Sequence, residues 1–233
     1  MATVVSDSDT DCGGWEQYDN DIPSLSASTL AALHEFYAQT QVSEVPEEVR
    51  HTEQQTETET VSEDWQLSQF WYDDRTAGLL ADECLTQAGQ HDAIAFVSAP
   101  TAYHAAKARG FGDRTAKLFE FDRRFADKYG DAFVFYDYNE PTELAESLHN
   151  QFDVILLDPP FLSDECFEKV ARTVQYLSSG PNARVIICTG AVMERQCNAL
   201  FSCHMIDFRP QHKNNLANEF RCYTNFAPIS LLL

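Results

Sequence analysis

Residues 154–161 read VILLDPPF. Four consecutive apolar residues, rich in branched side chains, have the length and composition of a strand buried on both faces. The next four residues decide how such a strand ends. Proline holds the residue before it in extended geometry, so Asp158 continues the strand and reaches its rim. Pro159 and Pro160 carry no N–H, so this stretch offers a carboxylate and bare carbonyl oxygens but almost no donors. An acceptor-only site with an aromatic ring beside it, Phe161, suits an amino group, which brings donors. Two acceptors hold the nitrogen and leave its lone pair aimed outward. The competing reading is an Asp-Pro turn ahead of a helix.

Outward from this segment the same kind of strand recurs. AIAFVSA (93–99), AKLFEFD (116–122), AFVFYDY (132–138), FDVILLD (152–158) and ARVIICTG (183–190) read as strands, and helical stretches separate them. Those stretches are AYHAAKARG, RRFADKYG, PTELAESLHN and residues 164–178. The last shows its period in Phe167, Val170, Ala171, Val174 and Leu177. Alternation of this kind predicts an open parallel sheet covered on both faces. After a helix in AVMERQCNALF come HMIDFRP and EFRCYTNF, with too little chain between them for a helical crossover, so they pair antiparallel. The expected fold is α/β: a seven-stranded, mostly parallel sheet with an antiparallel C-terminal hairpin.

Open α/β sheets bind ligands at the carboxyl ends of their strands. Ser98, Ala99 and Pro100 follow the first strand, and small side chains there let a ligand approach. Glu120 and Asp122 lie at the end of the second. Asp122 closes the run and is the preferred acceptor for ribose hydroxyls. Asp137, after the third, is placed to accept from an adenine amino group. An acid at a strand end also serves as helix cap or turn former; three on one rim point to a nucleoside-containing cofactor.

The chain has 233 residues and a formal charge of −21. Residues 1–64 hold fifteen acids and one base, Arg50; residues 65–233 hold 22 acids and 15 bases. Residues 1–22 read as a disordered acidic tail, 23–40 as an accessory helix, 41–63 as an acidic linker and 64–233 as the catalytic domain. Affinity for nucleic acid comes from Lys and Arg displacing counterions, and no basic run is present, so a basic protein is the expected partner and nucleic acid is not. An acidic tail also serves solubility alone. The seven cysteines are scattered, without metal-ligand spacing, and no metal is expected. No basic-then-apolar leader and no membrane-length apolar run are present; a cytoplasmic, membrane-free location is expected.

Taken together, WQLSQFWYDDRTA, VSAP, FEFDRRF, VFYDYN, DVILLDPPF, ICTGAVME and NLANEFRCY resemble the elongation factor 1-alpha lysine methyltransferase family, whose members were first classed as N6-adenine methyltransferases by their Asp-Pro-Pro motif. The likeness runs from about residue 24 to 226. It implies a class I methyltransferase sheet, S-adenosylmethionine as cofactor and a lysine of elongation factor 1-alpha as substrate. It also implies that Asp158, Pro159, Pro160 and Phe161 form the amine site. Ser98, Ala99 and Pro100 stand where the wider superfamily has a glycine-rich loop, a departure from its pattern. Asp122 holds the ribose, Asp137 the adenine. Gln69, Trp71 and Tyr72 cover the methionine end, where aromatic packing under the sheet edge is the other reading. Asn215 and Asn218 shape the substrate entrance or serve as turn residues.

Adenine in nucleic acid is the alternative amine. An enzyme acting on it must grip phosphates and usually extrudes the base, and the charge of this chain favours lysine. A non-catalytic interaction protein on the same fold would not need an intact Asp-Pro-Pro-Phe. A dinucleotide oxidoreductase is disfavoured, because the first strand lacks GxGxxG.

Overall fold

The computed structural model describes residues 61–64, 67, 69–214 and 218–232. The expected tail, accessory helix and residues 41–60 of the linker lie outside the described residues, as does Asn215. The described residues belong to one compact unit, Thr58–Leu233. Val61 and Glu63, read as linker, belong to the compact unit. The Val61 carbonyl accepts from Trp71 Nε1 at 2.9 Å, and Glu63 Oε1 accepts from the Trp71 amide at 2.6 Å.

The strands are β1 (Ala93–Val97), β2 (Thr115–Glu120), β3 (Phe133–Phe135), β4 (Val154–Leu157), β5 (Arg184–Gly190), β6 (His204–Ile206) and β7 (Phe220–Thr224). They form a seven-stranded sheet in the order β3-β2-β1-β4-β5-β7-β6. β7 lies between β5 and β6 and runs antiparallel to both; the neighbours from β3 to β5 are all parallel. The α-helices are α1 (Asp74–Gln87), α2 (Pro100–Arg109), α3 (Arg124–Tyr129), α4 (Asp164–Leu177) and α5 (Glu194–Phe201).

The continuous apolar run of β4 is explained by burial on both faces. Val154 and Leu156 enter the core shared with Leu80, Phe96 and Tyr103. Ile155 and Leu157 enter the other, with Phe167, Val170 and Phe201. Each such side chain contributes about 1.5–3 kcal/mol when fully buried.

Two local devices anchor α1 and the C-terminal segment. Asp73 caps α1, accepting from the Thr76 amide at 2.7 Å. On the same helix Glu83 is fully buried, and its carboxylate collects the amides of Ile229 (3.0 Å), Ser230 and Leu231 (3.2 Å), with Gln87 Nε2 at 2.7 Å. That clamp seats Leu231 in the core. Six cysteines, 84, 166, 188, 197, 203 and 222, are buried free thiols, and Cys188 stands directly opposite Cys222 between β5 and β7.

The helix expected over 141–150 is absent; only Glu146–Leu148 makes a 3₁₀ turn. Side chains of α4 take its carbonyls instead: Thr173 Oγ1 donates to Pro141 O at 3.0 Å, and the Tyr176 hydroxyl to Leu144 O at 3.3 Å. These contacts flatten the segment along α4 and override its helical composition.

Candidate active site

At the carboxyl edge of the sheet a cleft of about 430 Å³ opens over β1, β2 and β4, within the usual size of a small-molecule site. Asp158 continues β4 by one residue. Its amide donates to Val97 O at 3.0 Å, so the proline-held extension expected from the sequence is present. Asp158, Pro159, Pro160 and Phe161 all line the cleft, and the Phe161 ring is 44% exposed. Its face meets Tyr138 edge-on, with centroids 5.5 Å apart. The loop lies directly on the end of β5, because Gly190 has no Cβ: one built there would stand 2.8 Å from Leu162.

Burial pushes the Asp158 carboxyl up to about 8, and the nearby Glu120 charge adds to the rise; the neighbouring Tyr72 hydroxyl opposes it. That hydroxyl is itself buried beneath Asp158, beside Cys188, with no partner at full hydrogen-bond geometry among the described residues. Tyr72 thus supports the acid from below and does not line the cleft. Trp71 and Gln69 do line it. Trp71 is packed edge-on to Phe125 at 6.0 Å.

The loop after β1 turns at Ser98, whose φ of +53° lies in the left-handed region that favours glycine. A non-glycine residue thus takes the backbone form that a glycine-rich loop would supply. Ser98 and Pro100 face the cleft; Ala99 is buried in the core behind them.

The two acids after β2 divide their work differently from the expected pattern. Asp122 is outside the cleft lining. Its carboxylate accepts from Gln69 Nε2 (2.9 Å), the Arg124 amide (2.9 Å) and Arg124 Nε (2.8 Å). Burial alone would push this carboxyl up, but the bonds from Arg124 and Gln69 outweigh it and hold it below the usual range. Glu120, the last residue of β2, lines the cleft instead. Its Oε1 accepts from the amides of Phe121 (3.0 Å) and Asp122 (3.1 Å), which leaves Oε2 for a ligand. Burial pushes it up to about 7 against those two bonds.

Asp137 lines the cleft, with Oδ1 accepting from the Asn139 amide at 2.8 Å. Phe121, 48% exposed, and Tyr138 add aromatic walls on this side. At the opposite end, Asn218, Phe220 and His212 complete the lining. His212 packs between Tyr72, tilted against it with centroids 5.0 Å apart, and Phe220, edge-on at 4.7 Å. Burial lowers its pKa to about 4 and keeps the ring neutral, with Glu63 and Asp73 opposing the shift. Phe121 lies within FEFDRRF but is not singled out beside Glu120 and Asp122, and His212 falls outside every quoted stretch.

A parallel sheet closed by a reversed seventh strand, with an Asp-Pro-Pro-Phe rim over a nucleoside-sized cleft, is the class I methyltransferase fold. The family model described as "Probable N6-adenine methyltransferase" matches residues 63–228. EEF1A lysine methyltransferase 1 of Mus musculus is 47% identical over 212 residues, covering 91% of this chain and 95% of that one. The Gallus gallus protein of the same name is 46% identical over 210 residues, covering 90% and 96%. A protein-lysine N-methyltransferase of Caenorhabditis elegans is 42% identical over 219 residues, covering 91% and 97%. The chain belongs to this methyltransferase family.

Proposed function

We propose that the protein transfers a methyl group from S-adenosylmethionine to a lysine side chain of elongation factor 1-alpha. The observation that carries this reading is the Asp158 carboxyl: raised by burial, set beside the donor-free Pro159-Pro160 carbonyls, in a cleft walled by Phe161 and Trp71. A carboxyl this desolvated awaits a positive or donor-rich partner, and lysine is the first as an entering ammonium and the second as a neutral amine.

The residues present fit the cofactor. Glu120 Oε2 is free for the ribose hydroxyls, Asp137 shares the cleft lining with Phe121 and Tyr138 and would take the adenine, and the Ser98–Pro100 loop admits close approach. When bound, the cofactor supplies an electrophilic methyl on a sulfonium. Asp158 and the proline carbonyls accept hydrogen bonds from the amine and turn its lone pair toward the methyl group. Free lysine, at a reference pKa of about 10.4, enters as ammonium. The aromatic walls and the cofactor's positive charge favour the neutral amine, and its proton leaves to water before capture. Neutral His212 adds no cation to repel the substrate.

The substrate is a translation factor, so the reaction belongs in the cytoplasm. Among the described residues no helix is long and apolar enough to cross a membrane. The acidic residues 1–64 draw in a basic protein by long-range attraction, which salt weakens. A chain beginning at Thr58 should bind cofactor normally and methylate the intact factor more slowly at low salt.

Purified elongation factor 1-alpha and adenine-containing DNA, each incubated with labelled cofactor, test the reading. Label in the protein, lost in Asp158→Asn, supports it. Label only in nuclease-sensitive material transfers the assignment to adenine.

A further inference from the structure

Beyond its amine end the cleft continues into a second hollow of about 180 Å³, which shares His212, Asn218 and Phe220 with it. Its outer wall is built from charge. Glu219 and Arg221 project from the same side of the extended chain entering β7, and Arg209 faces them from the loop after β6. One carboxylate oxygen, Glu219 Oε1, serves both arginines: Arg221 Nη2 in close contact and Arg209 Nη1 at 3.8 Å. Two guanidinium groups bring ten N–H donors to one carboxylate. Arg221 Nε is buried without a partner among the described residues. Arg209 and Glu219 are 61% and 58% exposed, so both remain open to a visitor.

This cationic spot sits at the mouth of a site for a cation, on a chain of charge −21. Alone it would repel the lysine that the cleft receives. Its presence makes physical sense if a negative charge enters with that lysine. The geometry points to a specificity subsite in which Arg209, which lines the hollow, grips a side-chain carboxylate of the substrate, an Asp or Glu a few residues from the target lysine, displacing Glu219, which the more buried Arg221 holds there until it arrives. The short range follows from the shared walls, since an extended chain advances about 3.3 Å per residue. Carboxylate matches the planar fork of arginine in a way that a lysine ammonium never could. The assignment rests on the lysine reading of the main cleft and names what must lie beside that lysine.

Steady-state kinetics with intact elongation factor 1-alpha tests it, after the methylated lysine has been located by mass spectrometry. Arg209→Ala should raise KM for the factor by roughly tenfold, the loss of about one charge-assisted contact. kcat and cofactor affinity should stay unchanged. Replacing the flanking acid of the substrate by its amide should cost the same factor, and combining the two changes should cost no more. Glu219→Gln removes the internal competitor and should lower KM, a gain that a merely structural ion pair would not give. Unaltered KM in both variants, losses that multiply, or competition by an oligonucleotide that depends on Arg209 would overturn the subsite while leaving lysine methylation standing. A wild-type chain that labels no protein overturns the underlying reading, and the subsite falls with it.

Discussion

Gln69 Nε2 donates to Asp122 Oδ2 at 2.9 Å, across 53 residues of sequence. Arg124 closes the triangle, its Nη2 donating to Gln69 Oε1 at 3.1 Å. Asp122 is thereby committed to holding the segment before α1 against the sheet. Glu120→Gln should therefore weaken S-adenosylmethionine binding by about 1.5–3 kcal/mol, the range for hydrogen bonds to a charged group. Asp122→Asn should cost much less affinity and instead speed proteolysis near residues 61–72. Calorimetry and limited proteolysis on the pair decide; equal losses of affinity would return the ribose to Asp122.

Asp158→Asn should abolish methyl transfer and yet stabilise the free protein. The folded-state pKa, about 8, lies above the ordinary carboxylate value, so the unfolded chain holds fewer protons between pH 4 and 8. The contribution of this acid to stability is thus full below about pH 4 and falls as pH rises to about 8. The amide removes that loss. A melting temperature higher by several degrees at pH 8, and unchanged near pH 4, is the expected result.

The same acid governs the rate profile. With Asp158 near 8 and Glu120 near 7 in one cleft, protons leave the free enzyme in steps that belong to the pair. kcat/KM should climb between pH 6 and 9, as the acceptor ionises and more lysine is neutral. Asp158→Asn should remove the inflection near pH 8 from whatever residual rate remains and leave the rise that comes from neutral lysine. A rate that falls over this interval would contradict an ionised acceptor.

Ser98→Gly should be tolerated or stabilising by up to about 1 kcal/mol, because φ = +53° costs a residue with a Cβ and costs glycine little. Ser98→Val, β-branched, should destabilise and weaken cofactor binding together. Denaturant titration with and without cofactor separates the two effects.

Glu83→Ala should destabilise the unit by about 2–4 kcal/mol, since three backbone amides of the tail lose their acceptor at a fully buried site. Amide exchange should rise first at residues 229–231.

The strands and the reversed C-terminal hairpin were readable because burial on both faces leaves unbroken apolar runs, as in Val154–Leu157, and because eight residues cannot cross over a sheet. Asp158 was readable from the prolines after it. The roles of Glu120 and Asp122 were not. Two acids spaced by two share a face only while the strand lasts, and β2 ends at Glu120. The chain then turns, and Arg124, four residues on, captures Asp122. Nothing in FEFDRR states where that turn falls. The missing helix at 141–150 has the same cause: the hydroxyls that donate to its carbonyls, on Thr173 and Tyr176, belong to a different stretch of sequence. His212 reaches the cleft through its pairing with Tyr72 across the sheet edge, a contact that no local pattern encodes.

Six silent thiols give this protein a built-in reporter. Cys188 and Cys222 lie at the centre of the β5–β7 ladder, directly behind Tyr72 and Asp158, while Cys84 shares the helix that clamps the tail. A thiol reagent added to the native protein will find none of these six until the structure opens. The order in which they become reactive will then time, without any added dye, whether the catalytic floor or the tail clamp lets go first.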